Sequence, residues 1–241
     1  METQIVVLGG GPGGYAAAFL AADLGMRVVL VDAEPRLGGV CLLRGCIPSK
    51  ALLHVAKVMA EARHLAAWGV SYAAPSIAVD QLRGQKEKII TSLSGGLKQL
   101  AAKRGVQVIH AKGSFADSQT LRLTPMGQGG AIPEAIRFEH CIVAVGSSPT
   151  RIPAFDLPTP RIMDSTGALE LADVPESLLV VGGGYIGLEM GTVYAALGSR
   201  VTVVEMTDGL LPGADRDLVK PLQKALEKQF AAIHLSTKVV S

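Results

Sequence analysis

The sequence predicts an α/β protein with two parallel-sheet domains, the second of them incomplete. Three observations predict it. Short unbroken apolar runs, residues 5–8 and 177–181, lead into glycine-rich loops. Each loop opens an apolar stretch long enough for a helix, closed by Gly25 or Gly198. Each helix is followed by a second apolar run that ends on an acid, Asp32 or Glu205. The separation from Gly9 to Asp32 equals that from Gly182 to Glu205. A pattern repeated in this detail implies two sites of one kind.

Taken in order, residues 5–8 read as a strand buried on both faces. In Gly9-Gly10-Gly11-Pro12-Gly13-Gly14, Gly9 makes the turn, Gly11 lets backbone meet a pyrophosphate, and Gly14 lets helix and strand pack closely. The helix over residues 15–24 aims its N-terminal N–H groups and positive dipole end at the phosphates. Strand 27–31 then delivers Asp32 to ribose hydroxyls. The unit reads as a Rossmann-like dinucleotide-binding fold of three layers.

Directly after it comes Gly38-Gly39-Val40-Cys41-Leu42-Leu43-Arg44-Gly45-Cys46-Ile47-Pro48-Ser49-Lys50. Residues five apart bring their sulfurs within bonding reach if a helical turn is distorted. The pair reads as a reversible disulfide. Two alternatives stand beside it. A zinc site needs a second ligand pair, but the only other cysteine is Cys141 and no histidine pair lies nearby. Two unrelated thiols packed in a core are the blander option.

Residues 51–67 carry helical periodicity through Leu52, Leu53, Val55, Ala56 and Met59, and residues 69–76 form a loop. A polar-faced helix spans 79–104, interrupted by Gly95-Gly96. Residues 106–110, 113–115 and 121–124 are short strands, 127–133 a loop, and 142–145 a buried strand closed by Gly146. Pro153, Pro158 and Pro160 punctuate a connector, which sets the domains at 1–150 and 151–241. The second fingerprint follows on a buried strand at 177–181. Glu205 favours NAD over NADP, because a carboxylate accepts from a free 2′-hydroxyl and repels a 2′-phosphate. Residues 208–212 are a loop, 217–230 a helix, and 233–240 the start of a strand.

The chain's 241 residues are 49% hydrophobic, enough to bury a substantial core. A net charge of +2 with no basic run offers nothing to nucleic acid or to an anionic membrane surface. The N-terminus has no basic segment before its apolar run, and the apolar runs stop short of a membrane span. A soluble cytoplasmic protein is expected, where a close cysteine pair is more often redox-active than structural.

Two fingerprints with Cys-x4-Cys between them resemble the flavin-dependent pyridine nucleotide–disulfide oxidoreductases. The likeness runs along the whole chain and includes Gly-Cys-Ile-Pro-Ser-Lys-Ala-Leu-Leu, Ala144-Val145-Gly146-Ser147, Asp164-Ser165-Thr166 and Gly187-Leu188-Glu189-Met190. It is nearest to the branch that oxidises dihydrolipoamide within 2-oxo acid dehydrogenase complexes. The resemblance implies FAD at Gly9, Gly11, Gly14, Asp32, Gly39, Lys50, Gly113, Ala144 and Gly146. It makes Cys46 the thiol beside the flavin and Cys41 the thiol that exchanges with dihydrolipoamide or a lipoyl-bearing domain. Lys50 lies near the flavin, paired with Glu189. NAD uses Gly182, Gly184, Ile186, Gly187 and Glu205, with Val239 near the adenine.

Two departures from the family pattern stand out. Leu43-Arg44 replaces the Asn-Val common between the cysteines, which offers Arg44 either to a neighbouring thiol or to solvent. Relatives also run on into a dimerisation domain that gives the partner of a homodimer a His-x4-Glu acid–base pair. His54, His64, His110, His140 and His234 are followed five residues later by Met59, Gly69, Phe115, Val145 and Val239, never by Glu. The expected function is flavin-dependent oxidation of dihydrolipoamide with reduction of NAD. The alternative is a catalytically inactive nucleotide-binding fragment, and NADP-linked glutathione or mercuric reductases are a weaker rival because of Glu205.

Overall fold

Strand β1 (Glu2–Leu8) lies at the centre of the first unit in the computed structural model, which describes residues 1–127 and 131–240. It pairs in parallel with β2 (Val28–Asp32) on one side and with β5 (Ala135–Val143) on the other. β2 pairs in parallel with the first half of β3 (Gln107–Phe115). The second half of β3 turns away to pair antiparallel with β4 (Thr120–Pro125), which pairs antiparallel with the start of β5. The five strands close on themselves.

This closure explains the apolar runs. Ile5, Val7, Val28 and Leu30 face α1 (Pro12–Asp23) and the end of α4 (Val79–Lys103), packing on Ala18, Ala21, Leu97 and Ala101. Val6, Val29 and Val31 face the other way, onto Leu121, Leu123, Ile136 and Phe138 of the antiparallel strands. Both faces of the parallel strands are therefore covered, as unbroken hydrophobic runs require. Helices, parallel strands and antiparallel strands form three layers.

The second unit carries β6 (Ser177–Val181), β7 (Arg200–Val204) and β8 (Ala232–His234), all parallel with β7 in the middle. α6 (Tyr185–Leu197) supplies Leu188, Met190, Val193 and Tyr194 to its core. α7 (Arg216–Leu226) adds Val219 and Leu226, and α5 (Ser165–Glu170) adds Leu169.

Several elements depart from the sequence expectation. The units are Met1–Ile47 with Lys88–Ser148, and Pro48–Glu87 with Pro149–Ser241. The contiguous division at 150/151 therefore leaves out that residues 48–87 belong with the second unit. Leu52 packs into the second core, Lys86 donates to the Leu169 carbonyl at 2.6 Å, and Arg83 donates to the Leu171 carbonyl at 2.9 Å. The expected pair of strands at 106–110 and 113–115 is the single bent β3. β5 begins before the expected 142, because its first half alternates Ile136 and Phe138 inward with Arg137 and Glu139 outward. α4 runs through Gly95-Gly96 without a break. Two glycines cost a helix about 1 kcal/mol each, and the burial of Ile90 and Ala101 on either side offsets that. Strand β8 is confined to Ala232–His234, because Ser236 and Thr237 turn back to donate to Thr207 and Glu205 carbonyls. β6 is an edge strand with Leu179 and Val181 exposed, not a strand buried on both faces. The expected loop at 127–133 falls partly on residues 128–130, outside those described.

Gly39–Trp68 is long and apolar enough to cross a membrane by length and composition alone. Its path breaks at Gly45, and Pro48, Ser49, Leu52 and Ala56 are buried in protein, so it is no clear span.

Candidate functional site

The first glycine loop is built by backbone geometry. Gly9 holds φ 107°, a conformation that L side chains rarely adopt, and its N–H donates to the Val31 carbonyl at 2.8 Å. A Cβ on Gly9 would collide with the Ala144 carbonyl, and one on Gly14 with the Gly9 carbonyl. α1 therefore starts hard against β1 and the end of β5. Its N-cap is Gly11, with no side-chain cap hydrogen bond and Pro12 at the first helical position. The Gly10 N–H donates to Asp32 Oδ2 at 2.7 Å, and the Glu34 N–H donates to Oδ1 at 3.0 Å. Asp32 is thereby aimed beside the loop with lone pairs to spare.

The cysteine segment is fastened to this loop. The Gly38 N–H donates to the Gly10 carbonyl at 2.9 Å. A Cβ on Gly39, which has φ 59°, would stand 2.5 Å from the Gly11 Cα. α2 (Gly39–Arg44) carries half-buried Cys41 in its third position. Gly45 breaks the helix, and a Cβ there would stand 2.8 Å from the Val40 carbonyl. Exposed Cys46 opens α3 (Cys46–His64), with Pro48 in the first turn where no N–H is needed. The turn between the cysteines is distorted at Gly45. Arg44, whose partner the sequence left open, donates from Nη1 to Glu34 Oε1 at 2.7 Å. Cys141 lies apart, on β5 against the core between the layers, and burial pushes its thiol up.

Gly113 leaves room for Leu8 and Leu121, since a Cβ there would stand 2.7 Å and 2.9 Å from their side chains. Ala144 lies against Gly9, Gly13 and Gly14, and Gly146 turns the chain with φ 73°.

In the second unit Lys50 Nζ donates to Glu189 Oε1 at 2.6 Å. Gly182 repeats the Gly9 turn with φ 105°, and its N–H donates to the Val204 carbonyl at 2.8 Å. α6 begins at N-cap Gly184, again with no side-chain cap. A Cβ on Gly187 would stand 2.8 Å from the Gly182 carbonyl, whereas Cβ atoms at Gly182 and Gly184 would meet nothing within 4 Å. Glu205, 6% exposed, accepts from the Gly183 N–H at 2.6 Å and from the Thr207 N–H and Oγ1 at 2.7 Å each. The backbone N–H groups of Thr207 and Gly183 hold its carboxyl below the usual range. Ile186 is partly exposed at the start of α6, and Val239 lies half-buried in irregular chain beyond β8.

Both helix N-termini fit a pyrophosphate. Each offers N–H groups with no side-chain cap, a glycine N-cap and an acid beside the loop. Sequence reasoning missed Thr207 and the Glu34–Arg44 pair. A threonine two residues beyond a strand-end acid could have signalled the first, but the second joins residues that only the fold brings together.

A family model described as pyridine nucleotide-disulphide oxidoreductase matches residues 3–241. The chain belongs to this family. As a member of the pyridine nucleotide–disulphide oxidoreductases, it is 49% identical over 241 residues to the dihydrolipoyl dehydrogenase of Haemophilus influenzae, covering 100% of this chain and 50% of the relative. It is 48% identical over the same length to that of Vibrio parahaemolyticus, again covering 100% and 50%. It is also 40% identical to the leghemoglobin reductase of Glycine max, over 99% of this chain and 45% of that protein. Among solved structures, the Cu(II) complex of the HOCl-induced flavoprotein disulfide reductase RclA from Escherichia coli superposes with a TM-score of 0.81 at 28% identity, covering 99% of this chain and 50% of that one. The chain spans about half the length of the curated relatives it matches. The family implies a flavin and a pyridine nucleotide as cofactors, and the fold is the Rossmann-like fold of flavoprotein disulfide reductases.

Proposed function

We propose that this chain is the nucleotide-binding and dithiol portion of a dihydrolipoamide dehydrogenase, which oxidises dihydrolipoamide on a lipoyl-bearing protein domain and reduces NAD. One observation carries the reading: the segment with Cys41 and Cys46 is hydrogen-bonded from Gly38 to Gly10 of the first glycine loop. A dithiol and a nucleotide held by one continuous backbone network suit electron transfer between them.

The first loop holds FAD through Gly9, Gly11, Gly14 and Asp32, with Gly39, Lys50, Gly113, Ala144 and Gly146 as further contacts. The second holds NAD through Gly182, Gly184, Ile186 and Gly187, with Val239 beside the adenine. Glu205 sets the choice of NAD, because a carboxylate held ionised by its N–H partners repels a 2′-phosphate. Bound FAD would supply the two-electron relay between the dithiol and the nicotinamide.

In the oxidised protein a substrate thiolate attacks Cys41 Sγ and breaks its bond to Cys46. The second substrate thiolate then displaces Cys41 and closes the lipoamide ring. Two electrons now reside on Cys41 and Cys46 as a thiol pair. Glu189 holds the Lys50 ammonium in place on the second unit. Service in a 2-oxo acid dehydrogenase complex, a cytoplasmic location and assembly as a homodimer complete the proposal.

The test is direct. The whole enzyme that carries this chain is expected to be yellow, with flavin absorbance, and to form NADH from dihydrolipoamide and NAD. Cys41→Ser and Cys46→Ser should each abolish turnover while flavin stays bound. A folded protein that binds both nucleotides yet forms no NADH would assign it to nucleotide binding alone. Exchanging Glu205 for Arg should remove the preference for NAD, and an unchanged preference would overturn the role given to Glu205.

A further inference from the structure

We propose that Glu34 and Arg44 form a charge-balanced clamp that sets the reduction potential of the Cys41–Cys46 couple. The inference rests on the reading of those cysteines as a redox pair and adds two residues that it does not use.

Arg44 is the last residue of α2, three positions after Cys41. Residues three apart on a helix share a face, with Cβ atoms about 5–6 Å apart. A guanidinium on the same helix face as a cysteine favours its thiolate and so favours the reduced pair. Here the charge is answered. Arg44 Nη1 donates to Glu34 Oε1 at 2.7 Å, with the side chains 36% and 38% exposed. Glu34 is itself anchored, because its N–H donates to Asp32 Oδ1 at 3.0 Å. The anchor runs from the strand-end acid of the first glycine loop through Glu34 to the turn between the cysteines. Partly exposed pairs of this kind add little to stability. Their field still acts on a neighbouring sulfur, and the balanced pair presents that sulfur with nearly no net charge.

Two single substitutions unbalance the pair in opposite senses. Glu34→Gln leaves Arg44 uncompensated and favours the dithiol. Arg44→Gln leaves Glu34 uncompensated and favours the disulfide. Loss of a merely structural tie would move both variants the same way. The other charged side chains of the segment, Asp32, Arg36 and Lys50, are the same in every variant.

The experiment equilibrates the whole chain with dithiothreitol and its cyclic disulfide. Reduction breaks the Cys41–Cys46 bond, and two electrons and two protons pass from the dithiothreitol thiols to the cysteine sulfurs as the reagent closes its own disulfide. Alkylation traps the dithiol, and mass spectrometry of the peptide bearing both cysteines reads it without interference from Cys141. Glu34→Gln is expected to shift the equilibrium about threefold to tenfold toward the dithiol, about 15–30 mV on the two-electron conversion. Arg44→Gln is expected to shift it similarly toward the disulfide. The double variant should return within about twofold of wild type, and both shifts should shrink at high salt. Arg44→Lys, which keeps the charge, should also stay within about twofold, and it serves if Arg44→Gln does not fold. Single variants that shift in the same direction, or not at all, would overturn the clamp. A wild-type protein that forms no Cys41–Cys46 disulfide at any buffer ratio would instead overturn the redox reading beneath it.

Discussion

The two glycine loops use one backbone device in two settings. Gly9 and Gly182 turn at φ 107° and 105°, and the next N–H of each loop donates to the strand-end acid. The surroundings differ. The first loop is covered: Ala144 packs against Gly9, and Gly39 lies against Gly11. The second leaves open space at Gly182 and Gly184. The acids differ as well. Asp32 has two backbone donors, whereas Glu205 has a third donor in the Thr207 hydroxyl and is nearly inaccessible. A shared motif therefore specifies the turn and the acid, while neighbouring chain decides how tightly the loop is held.

The comparison can be broken by substitution, starting with the largest effect. Gly14→Ala should destabilise the first unit by about 3 kcal/mol or more, because its Cβ meets a backbone carbonyl that cannot move aside. Gly187→Ala, whose Cβ would stand 2.8 Å from the Gly182 carbonyl and so overlaps it less deeply, should cost less. Urea denaturation compares them, and equal losses would remove the distinction between covered and open loops.

Glu205→Gln comes next, at about 1–3 kcal/mol, since it weakens bonds from buried donors to a charged acceptor. Its carboxyl lies below the ordinary value of 4.5 in the folded protein. The unfolded chain therefore binds the proton first as pH falls through that value, and stability from this group is full above it. That stability is lost as pH falls through the folded value. The gap in urea midpoint between wild type and Glu205→Gln should be widest above the ordinary carboxylate value and narrow steadily as pH falls below it. Parallel curves would show that the carboxylate charge contributes nothing.

Gly184→Ala should leave stability within about 0.5 kcal/mol, since nothing lies within 4 Å of the added methyl. It should weaken dinucleotide binding by about tenfold, or about 1.4 kcal/mol, measured by calorimetric titration. Unchanged affinity would show that this open space is not where the pyrophosphate rests. The smallest effect belongs to Thr207→Ala, which removes one hydroxyl donor for about 0.5–1.5 kcal/mol. It should make the stability of the second loop more like that of the first.

Much of the first unit is legible in the sequence, because Gly9, Gly11, Gly14 and Asp32 act through local backbone geometry and fixed spacing. The bend in β3 is not legible. Nothing between His110 and Ala111 signals that one strand leaves a parallel partner for an antiparallel one, and the switch is made by β4 and β5 closing the sheet. The continuity of α4 is hidden for a related reason, since Gly95-Gly96 looks like a break until burial on either side outweighs it.

The sequence by itself determined the α/β class, the two nucleotide loops, the acid at each strand end and the spacing of the two cysteines. Each of these depends on residues close together in the chain, where propensity and periodicity act directly. Only the tertiary structure decided that residues 48–87 belong with the second unit, that Thr207 helps hold Glu205, and that Arg44 meets Glu34. Those outcomes depend on which surfaces become neighbours once the cores have formed. Burial of apolar area sets that, and it carries no direction along the chain.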